Sequence, residues 1–325
     1  MHKRSFLTLC AAVAMVVSGP SFAQGFPSRP ITFVLPAPPS GATDVIARAL
    51  AEEMGKTLKQ PIVVDNKPGG AGMLGVQLVT KAAPDGYTVL IAHSTPIFYA
   101  PYTFSKMPYD VRRDLSFITE IASATLVFAV AKDVPAKNMK EFVAWAMQNK
   151  GKVNYGSYGV GTSSHMMNAY LSNTRGLDMS HVPYKGEAPM VNDMLGGQIP
   201  VAIGTLGTMA PFLATGQLRA LAVIGGQRLK NLPDVPTMIE AGFRDDVFKP
   251  LAGLVMMAPA GVPPPVLAKL EAAARSAIQT PALKARFQIY GLQGIGNSGE
   301  DFRRNLDASG PTILNMVKIS GAKMD

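Results

Sequence analysis

The sequence predicts an α/β protein made of two lobes. Apolar runs of strand character alternate with helix-period runs over residues 31–91, and the alternation starts again near residue 126. Such alternation is typical of parallel sheets covered by helices, whose ligands bind at the carboxyl ends of the strands. The chain has 325 residues, which is more than one hydrophobic core usually serves. We therefore expect each half of the alternation to form its own lobe.

The first lobe begins with a strand, a loop and a helix. Ile31–Leu35 is an unbroken apolar run, and apolar residues then recur at helical spacing from Val45 to Leu58. The glycine-rich segment 68–72 opens a second helix. The expected strands are 31–35, 62–64 and 87–91, and the expected helices are 45–58 and a segment that ends at Lys81.

The second lobe repeats this order after a connection near residues 100–125. A helix is expected where the only tryptophan, Trp145, lies, and the sequence turns helical again from Pro263. The expected strands are 126–131, 153–156 and three more around Val182, Val201 and Leu221, and the expected helices are 139–149, about 165–171 and about 299–319.

The first 23 residues predict export. A basic start, Met1–Arg4, precedes a mostly apolar run, Ser5–Val17, that is too short to span a bilayer. Ser21-Phe22-Ala23 is a small-x-small cleavage site. We expect a signal peptide at residues 1–23 and a soluble periplasmic protein from Gln24.

Cys10 is the only cysteine, and cleavage would remove it, so the mature chain would have no disulfide and no thiolate site. A lipoprotein anchor at Cys10 is the alternative. Leu9 is bulky where such an anchor needs a small residue, which favours simple cleavage.

The charge pattern favours a small anionic ligand. The formal net charge of +9 becomes +7 once Lys3 and Arg4 are removed. The remaining basic residues are scattered, without a basic run or interleaved aromatics, so nucleic acid is not an expected partner. A diffuse positive field would attract small anions, although any single lysine is better explained as a solvated surface residue.

Two loops carry the functional argument, Pro38–Asp44 and Gly159–Ser164. Each follows a strand and precedes a helix, so each offers backbone amides, hydroxyl groups and the positive end of a helix dipole. A pair of such loops facing one cleft would suit a ligand with one or two carboxylates. The alternative is that their serine and threonine side chains only cap helices.

Other chemistries have weaker support. The second loop lacks the third glycine of a dinucleotide fingerprint, neither glycine loop precedes a Walker lysine, and Ser157 is not in a nucleophile elbow. His93, His165 and His181 are not at metal-ligand spacing, so neither a metal nor a cofactor is expected. An exported serine hydrolase that uses Ser157 with His165 or His93, acting on a small carboxylic ester, remains the main alternative. An adhesion or scaffold module is a third alternative.

Several motifs, in order along nearly all of the mature chain, carry a family resemblance. They are Phe26-Pro27-Ser28-Arg29-Pro30-Ile31, Pro38–Asp44, Asn66-Lys67-Pro68-Gly69-Gly70-Ala71-Gly72, Pro84-Asp85-Gly86-Tyr87-Thr88, Pro183-Tyr184-Lys185-Gly186, Gly216–Ala222, Leu232–Thr237 and Glu240-Ala241-Gly242. The sequence resembles the Bug family, the TctC-like extracytoplasmic solute-binding receptors of tripartite tricarboxylate transporters.

The resemblance implies a two-lobed Venus-flytrap fold of the type II periplasmic binding proteins, with the ligand cleft between the lobes. Lobe 1 would comprise residues 24–123 and 250–325, and lobe 2 residues 124–249. It also implies a non-enzymatic monomer that captures a small organic carboxylate and delivers it to membrane subunits of a transporter. The chain would hinge where it crosses between the lobes.

The resemblance also implies the ligand-binding residues, which lie on strand-end loops of both lobes. In lobe 1 they are Pro38, Ser40, Gly41, Ala42, Thr43, Asp44, Gly70, Ala71, His93, Ser94 and Thr95, and in lobe 2 they are Ser157, Gly161, Thr162, Ser163, Ser164, His165, Tyr184, Gly204 and Thr205.

Three departures from the family pattern concern the ligand. Ala37 stands where an aromatic residue is common, Ser40 where a second glycine is common, and Gly204 followed by Thr205 where an aspartate is common. Loss of the aspartate removes a partner for a ligand ammonium group, and an unpaired buried ammonium is costly. We therefore expect a mono- or dicarboxylate without an α-amino group, with room for an aromatic one.

Overall fold

The computed structural model describes residues 25–249 and 252–322. The predicted signal peptide lies outside these residues. The strands are β1 (Ile31–Leu35), β2 (Ile62–Asn66), β3 (Thr88–His93), β4 (Leu115–Ala124), β5 (Leu126–Ala131), β6 (Asn154–Ser157), β7 (Ser180–Pro183), β8 (Val201–Thr205), β9 (Leu218–Ile224), β10 (Ala252–Pro259) and β11 (Leu292–Gly294).

The helices alternate with these strands for most of the chain. They are α1 (Ala42–Leu58), α2 (Met73–Thr80), α3 (Ala100–Thr103), α4 (Val111–Asp114), α5 (Met139–Gln148), α6 (Ser163–Thr174), α7 (Glu187–Leu195), α8 (Leu206–Ala214), α9 (Pro264–Ile278), α10 (Pro281–Ile289) and α11 (Gly299–Ser320). Short 3₁₀ turns cover Gly70–Gly72 and Asp246–Phe248, and a π-helical turn covers Thr95–Tyr99.

The described strands form two sheets, one for each lobe. The first has the order β11-β4-β10-β3-β1-β2, and the second has the order β7-β6-β8-β5-β9. The predicted α/β class with two lobes is confirmed. The chain leaves the first sheet after β4, builds the second sheet with β5 to β9, and returns as β10.

The expectation of parallel sheets is wrong in part, because both sheets are mixed. β1 is parallel to β2 and β3, and β6 is parallel to β7 and β8. β10 is antiparallel to β3 and β4, and β5 is antiparallel to β8 and β9. β10 returns from the second sheet, so it enters the first sheet at the end where the parallel strands finish.

The sequence did not reveal β4 or β10. β4 lies partly within the segment 100–125 that was expected to be a connection, and Thr119 and Glu120 interrupt its apolar run. Its pairing with β10 also contains several register shifts, so neither strand has a clean two-residue period. The predicted strands 31–35 and 126–131 are confirmed without change of bounds.

Helix α11 joins the two lobes. It packs against β4 of the first sheet and against α6, which covers the second sheet. One apolar cluster therefore runs from Phe98 and Phe302 on the first side to Phe128 and Met166 on the second. In the described part of the chain, no helix is both long and apolar enough to cross a membrane.

Candidate ligand-binding cleft

The predicted site residues lie at the carboxyl ends of the parallel strands. β1, β2 and β3 end next to the loop 36–41, the glycine turn 69–72 and the segment 93–95, and β6, β7 and β8 end at 157, 183 and 205. Because the carboxyl ends of parallel strands share one edge of a sheet, each lobe gathers its predicted residues at one edge.

The loop between β1 and α1 is an open helix N-terminus. Gly41 is the N-cap residue and supplies no side-chain cap, and the first helical hydrogen bond runs from the Val45 amide to the Gly41 carbonyl. Ala42 is exposed and Thr43 half-buried. The amides of Ala42 and Thr43 therefore have no partner within the helix, and they lie at the positive end of the dipole of this 17-residue helix. Such an end binds a carboxylate well.

Asp44 holds this loop and does not face outward. Its side chain is buried, and it accepts hydrogen bonds from the Ser40 amide (3.0 Å), Arg48 Nε (3.0 Å) and Asn66 Nδ2 (2.9 Å). The bond from Arg48 is the main reason that the pKa of Asp44 falls to about 2. Ser40 has a left-handed φ of 69°, which is uncommon outside glycine. The oxygens of Asp44 are thus bonded within the loop and to its neighbours, and its ligand contact stays a prediction.

The glycine turn lies against the end of β3. Gly72 has a φ of 92°, and a Cβ there would come within 3.0 Å of Pro96 Cγ and 3.4 Å of His93 Nε2. His93 Nδ1 accepts a hydrogen bond from the Thr95 amide (3.3 Å), and burial lowers the pKa of His93 to about 4. His93 is therefore neutral at physiological pH. Gly70 and Ala71 are exposed, and Ser94 is half-buried beside them.

In the second lobe, several predicted hydroxyls are already bonded. Ser157 is fully buried, its Oγ donates to the Gly159 carbonyl (3.1 Å), and His181 Nε2 lies 2.7 Å from that oxygen. Ser164 is also fully buried and donates to the Ile203 carbonyl (2.6 Å). Both hydroxyls therefore already have partners within their own lobe, and their ligand contacts stay predictions.

The loop that follows β6 is held by its own side chains. Thr162 caps α6: its Oγ1 donates to the Gly159 carbonyl (2.7 Å) and accepts from the His165 amide (3.4 Å). His165 is buried, and its Nδ1 accepts from the Gly161 amide (3.2 Å). Thr162 and His165 thus shape the loop, as the capping alternative expected.

His165 and His181 form a stacked pair. Their ring centroids are 3.8 Å apart with an interplanar angle of 10°, and Tyr155 stacks on His181 at 5.1 Å. Burial lowers the pKa of each histidine to about 4, and His181 lowers that of His165 further. Both are neutral at physiological pH, which keeps His165 Nδ1 an acceptor.

The hydrolase alternative lacks its geometry. Ser157 contacts His181, not His165 or His93, and the Ser157 hydroxyl is buried. Within the described residues, no carboxylate hydrogen bonds to His181, so no group orients it as a catalytic base. Nor does that part of the chain contain a group of three or more potential metal-binding side chains.

Two tyrosines that sequence reasoning missed lie near Ser163 at the start of α6. The Tyr158 hydroxyl lies 2.6 Å from Ser163 Oγ. Tyr99, from the π-helical turn of the first lobe, is buried, and Ser163 is near enough to affect the pKa of its phenol. Burial raises the pKa of both phenols, so both are neutral. Tyr158 could have been found as the aromatic residue inside a predicted loop, whereas Tyr99 gave no local signal.

A carboxylate approaches the end of β8 from another element. Glu187, at the start of α7, accepts hydrogen bonds from the Thr205 amide (3.1 Å), Thr205 Oγ1 (2.6 Å) and Thr208 Oγ1 (2.5 Å). A Cβ at Gly204 would lie 2.7 Å from Met209 Cε. The family's aspartate is therefore absent and its space is filled, but this strand end still carries an acid.

Tyr184 is also tied to its own lobe. Its hydroxyl donates to Asp193 Oδ2 (2.7 Å), and burial, with Asp193, raises its pKa to about 12. Only the half-buried ring of Tyr184 remains as a pocket wall.

Comparison with known proteins agrees with this architecture. The family model described as "Tripartite tricarboxylate transporter family receptor" matches residues 46–308. A solved periplasmic transporter is 35% identical and superposes with a TM-score of 0.78 over 92% of this chain and 100% of its own.

Two further solved relatives contain carboxylates. MatC from Rhodopseudomonas palustris, with bound malate, is 28% identical with a TM-score of 0.74 and covers 90% of this chain and 100% of its own. Another R. palustris protein, solved with adipate, is 27% identical with a TM-score of 0.79 and covers 92% and 100%. The match extends over both sheets and their strand-end loops, so the chain belongs to the TctC/Bug family of tripartite tricarboxylate transporter receptors and is a periplasmic binding protein, not an enzyme.

Proposed function

We propose that this receptor captures a small carboxylate without an α-amino group between its two lobes and delivers it to the membrane subunits of a tripartite transporter. The open N-terminus of α1 is the observation that carries the proposal. It offers amides without side-chain caps on a loop fixed by a buried carboxylate. The relatives solved with malate and adipate support a carboxylate ligand.

In this proposal, lobe 1 comprises residues 24–123 and 250–325, and lobe 2 comprises residues 124–249. Residues 24, 250–251 and 323–325 lie outside the part of the chain that the structure describes. The protein would act as a monomer that closes when one ligand contacts both lobes. Closure would present the loaded receptor to the membrane subunits.

The ligand carboxylate would bind at α1, because the corresponding end of α6 is occupied. Ser163 Oγ is bonded to Tyr158, and Glu187 lies close enough to Tyr158 to raise its pKa further. A second carboxylate near Glu187 would be repelled. We therefore favour an uncharged distal group, and the rings of Tyr99 and Tyr158 suit an aromatic one.

An α-amino group has little to bind. The position of the family's aspartate is Gly204, and the two oxygens of Glu187 already accept three hydrogen bonds. An ammonium ion placed there would lose more hydration than it regains.

A thermal-shift screen tests the ligand class. The protein would be produced with its own N-terminal segment, purified from the periplasmic fraction, and mixed with mono-, di- and tricarboxylates, aliphatic and aromatic, and with amino acids. A ligand at 100 times its Kd stabilises by about 2.7 kcal/mol, which raises the Tm by several degrees. We expect a shift with one class of plain carboxylate; tight binding of amino acids alone would overturn the proposal.

Ala42→Pro tests the position of the carboxylate. Proline is well tolerated at the first position of a helix, and Gly41 already has the extended conformation that a following proline requires. The substitution removes one amide donor, so affinity for the carboxylate should fall about 10- to 100-fold, the range for a hydrogen bond to a charged group. Ala42→Ser keeps the amide and is the matched control. Equal affinity in the two variants would place the carboxylate elsewhere.

A further inference from the structure

One cavity lies beside the segments where the chain passes between its sheets. It encloses about 570 Å³ and lies between α11, the end of β4 and the turn Asp246–Phe248. Its walls include Phe98, Ile295 and Ala308, and two polar side chains of β4, Glu120 and Ser123, lie at its base.

Glu120 is a buried carboxylate with no salt-bridge partner among the described residues. It is 3% exposed, and its Oε2 accepts hydrogen bonds from Asn297 Nδ2 (2.5 Å) and Asn305 Nδ2 (2.6 Å). Its Oε1 has no hydrogen-bond partner among the described residues. Burial raises the pKa of Glu120, and the nearby Asp301 raises it further. The hydrogen bonds from the two asparagine amides lower this pKa but do not offset the effect of burial. The carboxylate therefore retains capacity for a charged partner.

The other groups of the cavity add one more polar atom and an apolar wall. Ser123 is 7% exposed, and its hydroxyl has no partner within the described ranges. At the rim, Lys249 Nζ lies 2.7 Å from Asp246 Oδ1, so these two charges offset each other. Glu120 is thus the acidic group of the described lining that has no opposite charge beside it, and Phe98 and Ile295 line the cavity with apolar surface.

We propose that this cavity is a binding site for a small organic cation, a primary ammonium group attached to an apolar body. The ammonium would donate to Glu120 Oε1 and to Ser123 Oγ, and the apolar part would pack on Phe98 and Ile295. A hard metal ion fits less well, because Ca²⁺ requires six to eight oxygen ligands and much of this cavity is apolar.

Benzylamine is a suitable probe, since it is positively charged at about pH 7 and has a compact apolar ring. We expect it to raise the Tm of the periplasmically purified protein by a few degrees at saturation. Benzyl alcohol has the same shape without the charge and should give no shift, and calcium chloride should give none. A shift with calcium chloride and none with benzylamine would replace the organic cation by a metal ion and overturn the proposal.

Three variants locate the binding. Glu120→Gln removes the charge with little change of shape, and the Kd for benzylamine by calorimetry should rise at least about tenfold. Ala308→Phe, at the exposed rim, should block the cavity and abolish the shift while leaving the fold intact. Asp307→Asn removes a charge from the neighbouring residue of α11, which pairs with Arg112, and should leave the Kd unchanged.

The cleft provides the last control. Ala42→Pro should bind benzylamine with unchanged Kd, because its change lies in the carboxylate site. Undiminished binding in both Glu120→Gln and Ala308→Phe, or no binding of benzylamine to the unmodified protein, would overturn the site.

Discussion

Asp44→Asn should destabilise the protein and change how its stability depends on pH. The folded state lowers the pKa of Asp44 from 3.8 to about 2. Each pKa unit corresponds to about 1.4 kcal/mol, so the ionised carboxylate contributes about 2 kcal/mol after allowance for its partner Arg48, whose side chain is half exposed.

The sign of the pH effect follows from the direction of the shift. Because the pKa is lower in the folded state, the contribution is fully present above about pH 4 and is lost as the pH falls towards 2. Asparagine has no such transition. The free energy of unfolding of Asp44→Asn should therefore be about 2 kcal/mol lower at neutral pH and should approach that of the unmodified protein near pH 2.

Urea unfolding followed by far-UV circular dichroism measures both quantities. Asp85→Asn is the matched control, since Asp85 pairs with Arg29 where both side chains are well exposed, and its cost should stay within about 1 kcal/mol. An unchanged unfolding free energy in Asp44→Asn, combined with loss of carboxylate affinity, would refute our assignment. In that case Asp44 would contact the ligand and would not hold the loop.

Three other outcomes are expected. Ser157→Ala should lower the unfolding free energy by about 1–3 kcal/mol by leaving His181 Nε2 without its partner; a purely functional defect at unchanged stability would contradict this. Gly75→Ala should destabilise the protein by about 1–3 kcal/mol, because its Cβ would lie 2.7 Å from a neighbouring proline. In Gly207→Ala the new Cβ meets nothing closer than 3.8 Å, so this variant should be stabilised by about 1 kcal/mol. Thermal unfolding measures both changes in stability, and two changes of the same sign would contradict the packing argument. His165 should make the protein less stable as the pH falls, because its pKa is 6.5 in an ordinary histidine and about 4 in the folded state. Between these two values the unfolding free energy should fall by up to about 1.4 kcal/mol for each unit by which the pH is lowered. A His165→Asn variant should show a shallower slope in chemical unfolding at a series of pH values.

Local periodicity was enough to predict most of the framework. The apolar run Ile31–Leu35 and the helical spacing that follows it are short-range patterns, and both elements appear where they were expected. The placement of glycine, proline and hydroxyl residues likewise predicted that the loops after β1 and β6 would lead into helix N-termini. The family resemblance added that the chain returns to its first lobe after building the second.

Local pattern did not predict the partners of the polar side chains. Ser157 was expected to face a ligand, and its hydroxyl lies 2.7 Å from Nε2 of His181 on the adjacent strand. Asp44 was expected to do the same, but Asn66 and Arg48 hold it. The contacts with His181 and Asn66 depend on strand order, because both residues come from a neighbouring strand, whereas Arg48 lies one turn along the same helix as Asp44.

The sequence by itself thus determined the α/β class, the two lobes and the strand-end position of the loops that lead into α1 and α6, because these follow from apolar spacing and from backbone chemistry at helix ends. Only the tertiary structure decided which groups remain free to bind a ligand. Tyr99 and Tyr158 belong to different lobes, yet both approach Ser163 and thereby occupy one of two helix ends that look equivalent in the sequence. Hydrogen bonds are short and directional, so which donors stay open depends on distances that packing between the lobes sets.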